Sequence, residues 1–140
     1  MDSRTPNRFV FNHTLWKLGQ EIEDAVLPSI NSKWEADFKR KQDIFDVIDF
    51  HDDDKKIACE VKGRRNESSA YPTTIITLNK VHKAYQLIEE GWDVYFVFVF
   101  TDKTMYYKLT GEENWEVKLT GTFQIEHNLI PITDLKEIEE

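Results

Sequence analysis

Three residues at close spacing carry the chemical promise of this chain: Glu60, Lys62 and, fourteen positions before Glu60, Asp46. The first two sit in the stretch Ile57-Ala58-Cys59-Glu60-Val61-Lys62-Gly63, which reads as a short, half-apolar strand followed by Arg64 and Arg65. Side chains alternate between the faces of a strand. Glu60 and Lys62 therefore share one face, and Ile57, Cys59 and Val61 share the other. A bare Glu-x-Lys tripeptide is most simply an ion pair at a sheet edge. A second carboxylate from a neighbouring strand changes that reading. Two close carboxylates repel, and one takes up a proton unless a cation neutralises them. Oxygen-only donors of this kind suit Mg²⁺ or Mn²⁺. A lysine beside such an ion can orient a water or help deprotonate it, which is an arrangement for hydrolysing a phosphodiester.

The elements around these residues must supply that second carboxylate. Asp43 to Phe50 reads as a strand with Ile44, Phe45, Val47, Ile48 and Phe50 filling both faces, as in a sheet covered by helices. His51-Asp52-Asp53-Asp54-Lys55 then makes a polar hairpin turn into Lys56–Lys62. Opposite positions of such a hairpin bring side chains within about 5 Å, so Asp46 is expected beside Glu60. Asp43 and Asp49 are the alternatives, and strand parity sets both in the opposite phase to Asp46. The aspartates of the turn resemble a cation cluster but read as solvated turn residues.

Upstream, a helix is expected from Thr14, with Leu15, Leu18, Ile22, Val26 and Ile30 as its apolar stripe and Pro28 at or near its end. Trp34 to Phe38 is a weak strand or a link. Downstream come a polar loop over Arg64 to Pro72, a short strand over Thr74 to Leu78, and a helix over Lys80 to Glu90 with Val81, Ala84, Tyr85 and Leu87-Ile88 inward. Gly91 stops that helix. Trp92 to Thr101 is apolar throughout and reads as a central strand. Met105 to Leu109, Trp115 to Leu119 and Phe123 to Ile125 are further strands, and a short helical segment is expected over Asp134 to Ile138.

The chain has 140 residues, 40% of them hydrophobic and 31% charged, which fits one soluble globular domain over 1–140 with an arm at 1–12. Nothing in it is long and apolar enough to span a bilayer, no secretory signal is visible, and an intracellular protein is expected. One cysteine, Cys59, leaves no internal disulfide and no multi-cysteine zinc site. The net charge of -8 argues against nucleic-acid binding through overall charge. It leaves room for a local basic groove around Lys39-Arg40-Lys41, Lys55-Lys56, Lys62 and Arg64-Arg65. His13, His51, His82 and His127 lack metal-ligand spacing.

Asp46 followed by Glu60-x-Lys62 resembles the D…(D/E)-x-K signature of the PD-(D/E)XK nuclease superfamily, and the order of elements matches across most of the chain. The resemblance implies an α/β fold with a restriction endonuclease-like αβββαβ core, a mixed central sheet and, here, a short C-terminal β annex. It implies a Mg²⁺- or Mn²⁺-dependent nuclease acting on DNA, with RNA not excluded. In the family a glutamate on the first helix joins the metal site, and Glu23, four residues after Gly19, fits that position, with Glu21 as the fallback. The metal set is then Glu23, Asp46, Glu60 and the carbonyl of Val61; the catalytic set is Asp46, Glu60 and Lys62. Arg64 and Arg65, which follow the motif directly, and Lys80, with Tyr85, on the next helix are candidate phosphate contacts. Phe45 stands where the family often has proline before the aspartate. The rival expectation is a non-catalytic nucleic-acid-binding or assembly module with the same fold. The acidic charge suits a homodimer or a partner that completes the groove.

Overall fold

A computed structural model of the chain describes residues 13–40 and 48–138. It is α/β, as expected. Helix α1 (His13–Trp34) is followed by strands β1 (Lys39–Arg40), β2 (Phe50–Asp52), β3 (Ile57–Gly63) and β4 (Thr73–Thr77). Helix α2 (Leu78–Glu89) leads to β5 (Asp93–Val99), β6 (Thr104–Lys108), β7 (Glu116–Thr120), β8 (Ile125–Pro131), a single 3₁₀ turn and β9 (Lys136–Glu137). Six strands form a mixed sheet in the order β1-β2-β3-β5-β6-β9, and three form a second sheet in the order β4-β8-β7. Within the larger sheet only β3 and β5 run parallel among the described pairs.

Strand β5 explains why the larger sheet is buried on both faces. Its apolar run leaves no polar side, so each face must meet a helix. Val94, Phe96 and Phe98 join Val81, Ala84 and Leu87 of α2 in one core. Tyr95 and Val97 join Val26 and Ile30 of α1 in the other. Strand β3 divides in the same way: Cys59 and Val61 are fully buried in the α1 core, and Ala58 in the α2 core. Glu60 and Lys62 follow Ala58 in phase. Cys59 is therefore a core residue, and burial pushes its thiol well above the usual range.

Helix α1 does not end at Pro28. It continues to Trp34 with Pro28 inside it. Pro28 faces solvent, while Val26, Ile30 and Trp34 carry the buried stripe past it. The ring thus costs one backbone bond without opening a packed surface. The stripe fades in the other direction, where Leu18 is 46% exposed. The expected strand over Trp34–Phe38 is displaced to Lys39–Arg40. Gly63 sets how closely α1 approaches β3: a Cβ there would stand 3.1 Å from Ile22 side-chain carbons.

The C-terminal part departs most from expectation. The expected short strand at Phe123–Ile125 is instead Ile125–Pro131, paired with both β4 and β7. The expected helical segment over Asp134–Ile138 is instead the 3₁₀ turn Ile132–Asp134 and the two-residue β9 on the edge of β6. The annex is thus a sheet that incorporates β4, with Ile76 and Ile130 buried in the α2 core. No helix among the described residues is long and apolar enough to cross a membrane.

Candidate active site

Strand β3 ends in the site. The β2–β3 ladder pairs Phe50 with Cys59 and His51 with Ala58, so the residue before Phe50 arrives beside Glu60. That residue is Asp49, and its backbone N–H donates to Glu60 Oε1 at 3.1 Å. Asp43 and Asp46 lie in residues 41–47, outside the described residues.

Glu60 is completely buried. Its Oε2 lies 3.2 Å from Lys80 Nζ, in the first turn of α2, and 3.4 Å from Lys62 Nζ on its own strand. Burial, and then the negative charge of Asp49, raise the Glu60 carboxyl to about 7; Lys62 and Lys80 pull it down, but less strongly. Asp49 Oδ2 is also buried, and no described group donates a hydrogen bond to it. A buried carboxylate oxygen without a donor is costly, and this one lies beside a second carboxylate.

Helix α1 supplies a third acid. Glu23 faces inward, whereas Glu21 is exposed. Burial and then Asp49 raise the Glu23 carboxyl, with Arg40 and Lys62 opposing. Arg40 of β1 binds Glu23 Oε2 and Asp24 Oδ1, each at 3.0 Å, and stacks over the Phe50 ring at 4.7 Å. The described residues hold no group of three or more acids, histidines or cysteines close enough together to cage a metal ion. What the fold assembles is the pair Asp49 and Glu60, with Glu23 close enough to feel Asp49 but paired with Arg40.

The remaining candidates divide. Val61 is fully buried in the core. Lys80 joins the cluster, but the Tyr85 hydroxyl turns to the Glu113 carbonyl at 3.5 Å. Arg64 is already engaged: Nε donates to Thr74 Oγ1 at 3.1 Å, Nη2 donates to the Ile75 carbonyl, and the guanidinium covers Phe98 at 5.5 Å. It braces the end of β3 against β4. Arg65 is exposed. Arg40 is the member of this neighbourhood that sequence reasoning did not assign; its only signal was the basic run 39–41.

A helix, a three-strand turn-back with an acid pair and a lysine at its open end, a second helix and a long apolar strand together define a PD-(D/E)XK nuclease fold. The model of one particular family, described as "Phage putative PDDEXK endonuclease", matches residues 17–126. The chain belongs to that family, and with it to the PD-(D/E)XK nuclease superfamily, whose substrates are nucleic acids. No curated relative and no solved structure matches the chain.

Proposed function

We propose that this protein is a metal-dependent nuclease that hydrolyses phosphodiester bonds of DNA. The carrying observation is the fully buried Glu60 at the end of a central strand, beside an Asp49 oxygen with no donor among the described residues and 3.4 Å from Lys62. Oxygen-only acids, one of them raised to about 7 by its burial and then by the charge of the other, fit a divalent cation. Asp49 and Glu60 would hold Mg²⁺ or Mn²⁺, with the Val61 carbonyl as a backbone donor and Glu23 joining on release from Arg40. Asp46, favoured by motif spacing, is the competing donor. The bound metal would polarise the phosphoryl oxygen and lower the pKa of a bound water.

The chain's own groups do the rest. Lys62 positions the attacking water through its Nζ and helps remove its proton. Lys80 offsets the Glu60 charge from the other side and offers its ammonium to a phosphate oxygen. Burial of Glu60 and of the Asp49 Oδ2 atom keeps bulk water from screening these charges.

The test is cleavage of plasmid and oligonucleotide DNA in Mg²⁺ or Mn²⁺. Glu60→Gln and Lys62→Ala should each lose on the order of a thousandfold in rate, about 4 kcal/mol of transition-state stabilisation, while remaining folded. A folded wild type that cuts no nucleic acid with either ion would sink the reading. The Arg40–Glu23 pair, which occupies the third acid, favours a second reading: a non-catalytic nucleic-acid-binding or assembly module. Under that reading both variants bind DNA in EDTA as wild type does, and none cuts.

A further inference from the structure

Two grooves cross the outer face of the β4-β8-β7 sheet and meet at Arg64 and Ile75. The smaller, about 190 Å³, runs from Lys62 past Arg64 to Thr77 and His127. The larger, about 580 Å³, continues past Tyr71 and Thr73 to Lys118 and Thr120. The ladders explain their continuity. Thr73, Ile75 and Thr77 of β4 pair with Pro131, Leu129 and His127 of β8, and His127 pairs with Lys118 of β7. Paired residues share a face, and this face is opposite to the one that buries Ile76 and Ile130. The track along β4 is about 13 Å long at strand rise.

Its charge sets it apart. The protein carries a net charge of -8, yet neither groove has an acidic residue in its lining. Three other surface grooves are each lined by carboxylates: Glu112, Glu113 and Asp134 in one, Asp52 to Asp54 in another, Asp102 and Glu137 in the third. Lys62, Arg64 and Lys118 thus mark a positive path, without acids among its described lining residues, that starts at the candidate active site; the groove with Glu112, Glu113 and Glu116 adjoins it at Thr73 and Leu129. Arg64 cannot swing away from it, because Thr74 and Ile75 hold its guanidinium. Threonine hydroxyls line its middle. Tyr71, 64% exposed, stands at its side with its ring in solvent.

We propose that this face binds an unpaired nucleic-acid strand that leads away from the cleaved phosphate. Lys62, Arg64 and Lys118 would follow the phosphates, and Tyr71 would stack on a base. Stacking needs a base that is not paired, which is why a single strand suits the groove better than a duplex. The proposal rests on the nuclease reading for its direction, from the Lys62 end outward, and names the substrate class: DNA with a single-stranded segment beside the cut.

The experiment is fluorescence anisotropy of the full chain with a short fluorescein-labelled oligothymidylate, and separately with a blunt duplex, both in EDTA so that nothing is cut. Wild type should bind the oligothymidylate more tightly than the duplex. Tyr71→Ala should weaken that binding about tenfold, within the range of base–aromatic stacking, and Tyr71→Phe should restore it. Lys118→Glu should weaken binding and flatten its dependence on salt. Equal binding by Tyr71→Ala, Lys118→Glu and wild type would overturn the proposal, as would a wild type that prefers the duplex or binds neither probe. Because no turnover is read, these results leave the nuclease reading standing. A wild type that binds oligothymidylate yet cuts no nucleic acid with Mg²⁺ or Mn²⁺ would count against that reading alone.

Discussion

The β2–β3 hairpin carries an acid at each end, and the two could hardly be treated more differently. At the turn, the Asp52 carboxylate accepts backbone N–H bonds from Asp37 at 2.9 Å and from Asp54 and Lys55 at 3.1 Å. Those amides, that of Asp37 foremost, hold it below its ordinary range. At the open end, Asp49 has a buried oxygen with no described donor, and Glu60 is buried beside it with its carboxyl pushed upward. Asp102 repeats the satisfied pattern, bonded by the Ser68 amide and hydroxyl. A folded chain of this kind can satisfy its carboxylates locally. Where it buries two carboxylate oxygens close together, the described residues leave one of them without a donor.

The largest test of that contrast exchanges the two aspartates in turn. Asp49→Asn should cut DNA cleavage at least a hundredfold, about 3 kcal/mol in transition-state stabilisation. Asp52→Asn should leave cleavage near wild type and lower stability by about 1 kcal/mol through a weakened turn. Asp46→Asn in the same assay decides between the motif spacing and the hairpin register: full loss there with activity retained in Asp49→Asn would reverse the assignment.

An effect of similar size is read in the metal-free protein. Glu60 binds its proton more tightly folded than unfolded, so its contribution to stability is fully present below about pH 4.5 and is lost as pH rises to about 7. The contribution is of order 3 kcal/mol. Urea unfolding in EDTA at pH 5 and pH 8 should show wild type losing stability over this interval relative to Glu60→Gln. Parallel behaviour of the two proteins would mean that Glu60 is not held in the state described.

The smallest effect concerns Arg40. Its pair with Glu23 is partly exposed, and such pairs contribute up to about 1 kcal/mol. Arg40→Ala should therefore tighten Mn²⁺ binding severalfold in calorimetry without nucleic acid, by freeing Glu23. Unchanged binding would remove Glu23 from the metal set.

Much of this architecture was legible because single segments carried it. The run from Val94 to Phe100 has no polar face and can only be a covered strand. The alternation in Ile57–Lys62 already separated Glu60 and Lys62 from Cys59 and Val61, and Lys80 was recognisable as a contact of the next helix. What was illegible depended on pairs far apart in the chain. Strand β8 exists because Thr73–Thr77 meets His127–Pro131, and neither segment announces the other. Strand β9 is two residues long and has no period to read. The choice among Asp43, Asp46 and Asp49 turns on a hairpin register that the run Asp43–Phe50, apolar on both faces, does not specify. The Arg40–Glu23 pair joins residues seventeen positions apart, and the basic run 39–41 gave no hint of which acid it would meet.

The parallel pairing of β3 with β5 also has a consequence for the timing of synthesis. Glu60 lies opposite Phe96, and Lys62 opposite Phe98. On a ribosome, then, the acid pair cannot take its final place until the chain through β5 has emerged. The outer groove waits longer still, for residue 131 at the end of β8. The acid pair and the outer groove are completed in that order, and a nascent chain that stops short of β5 has neither.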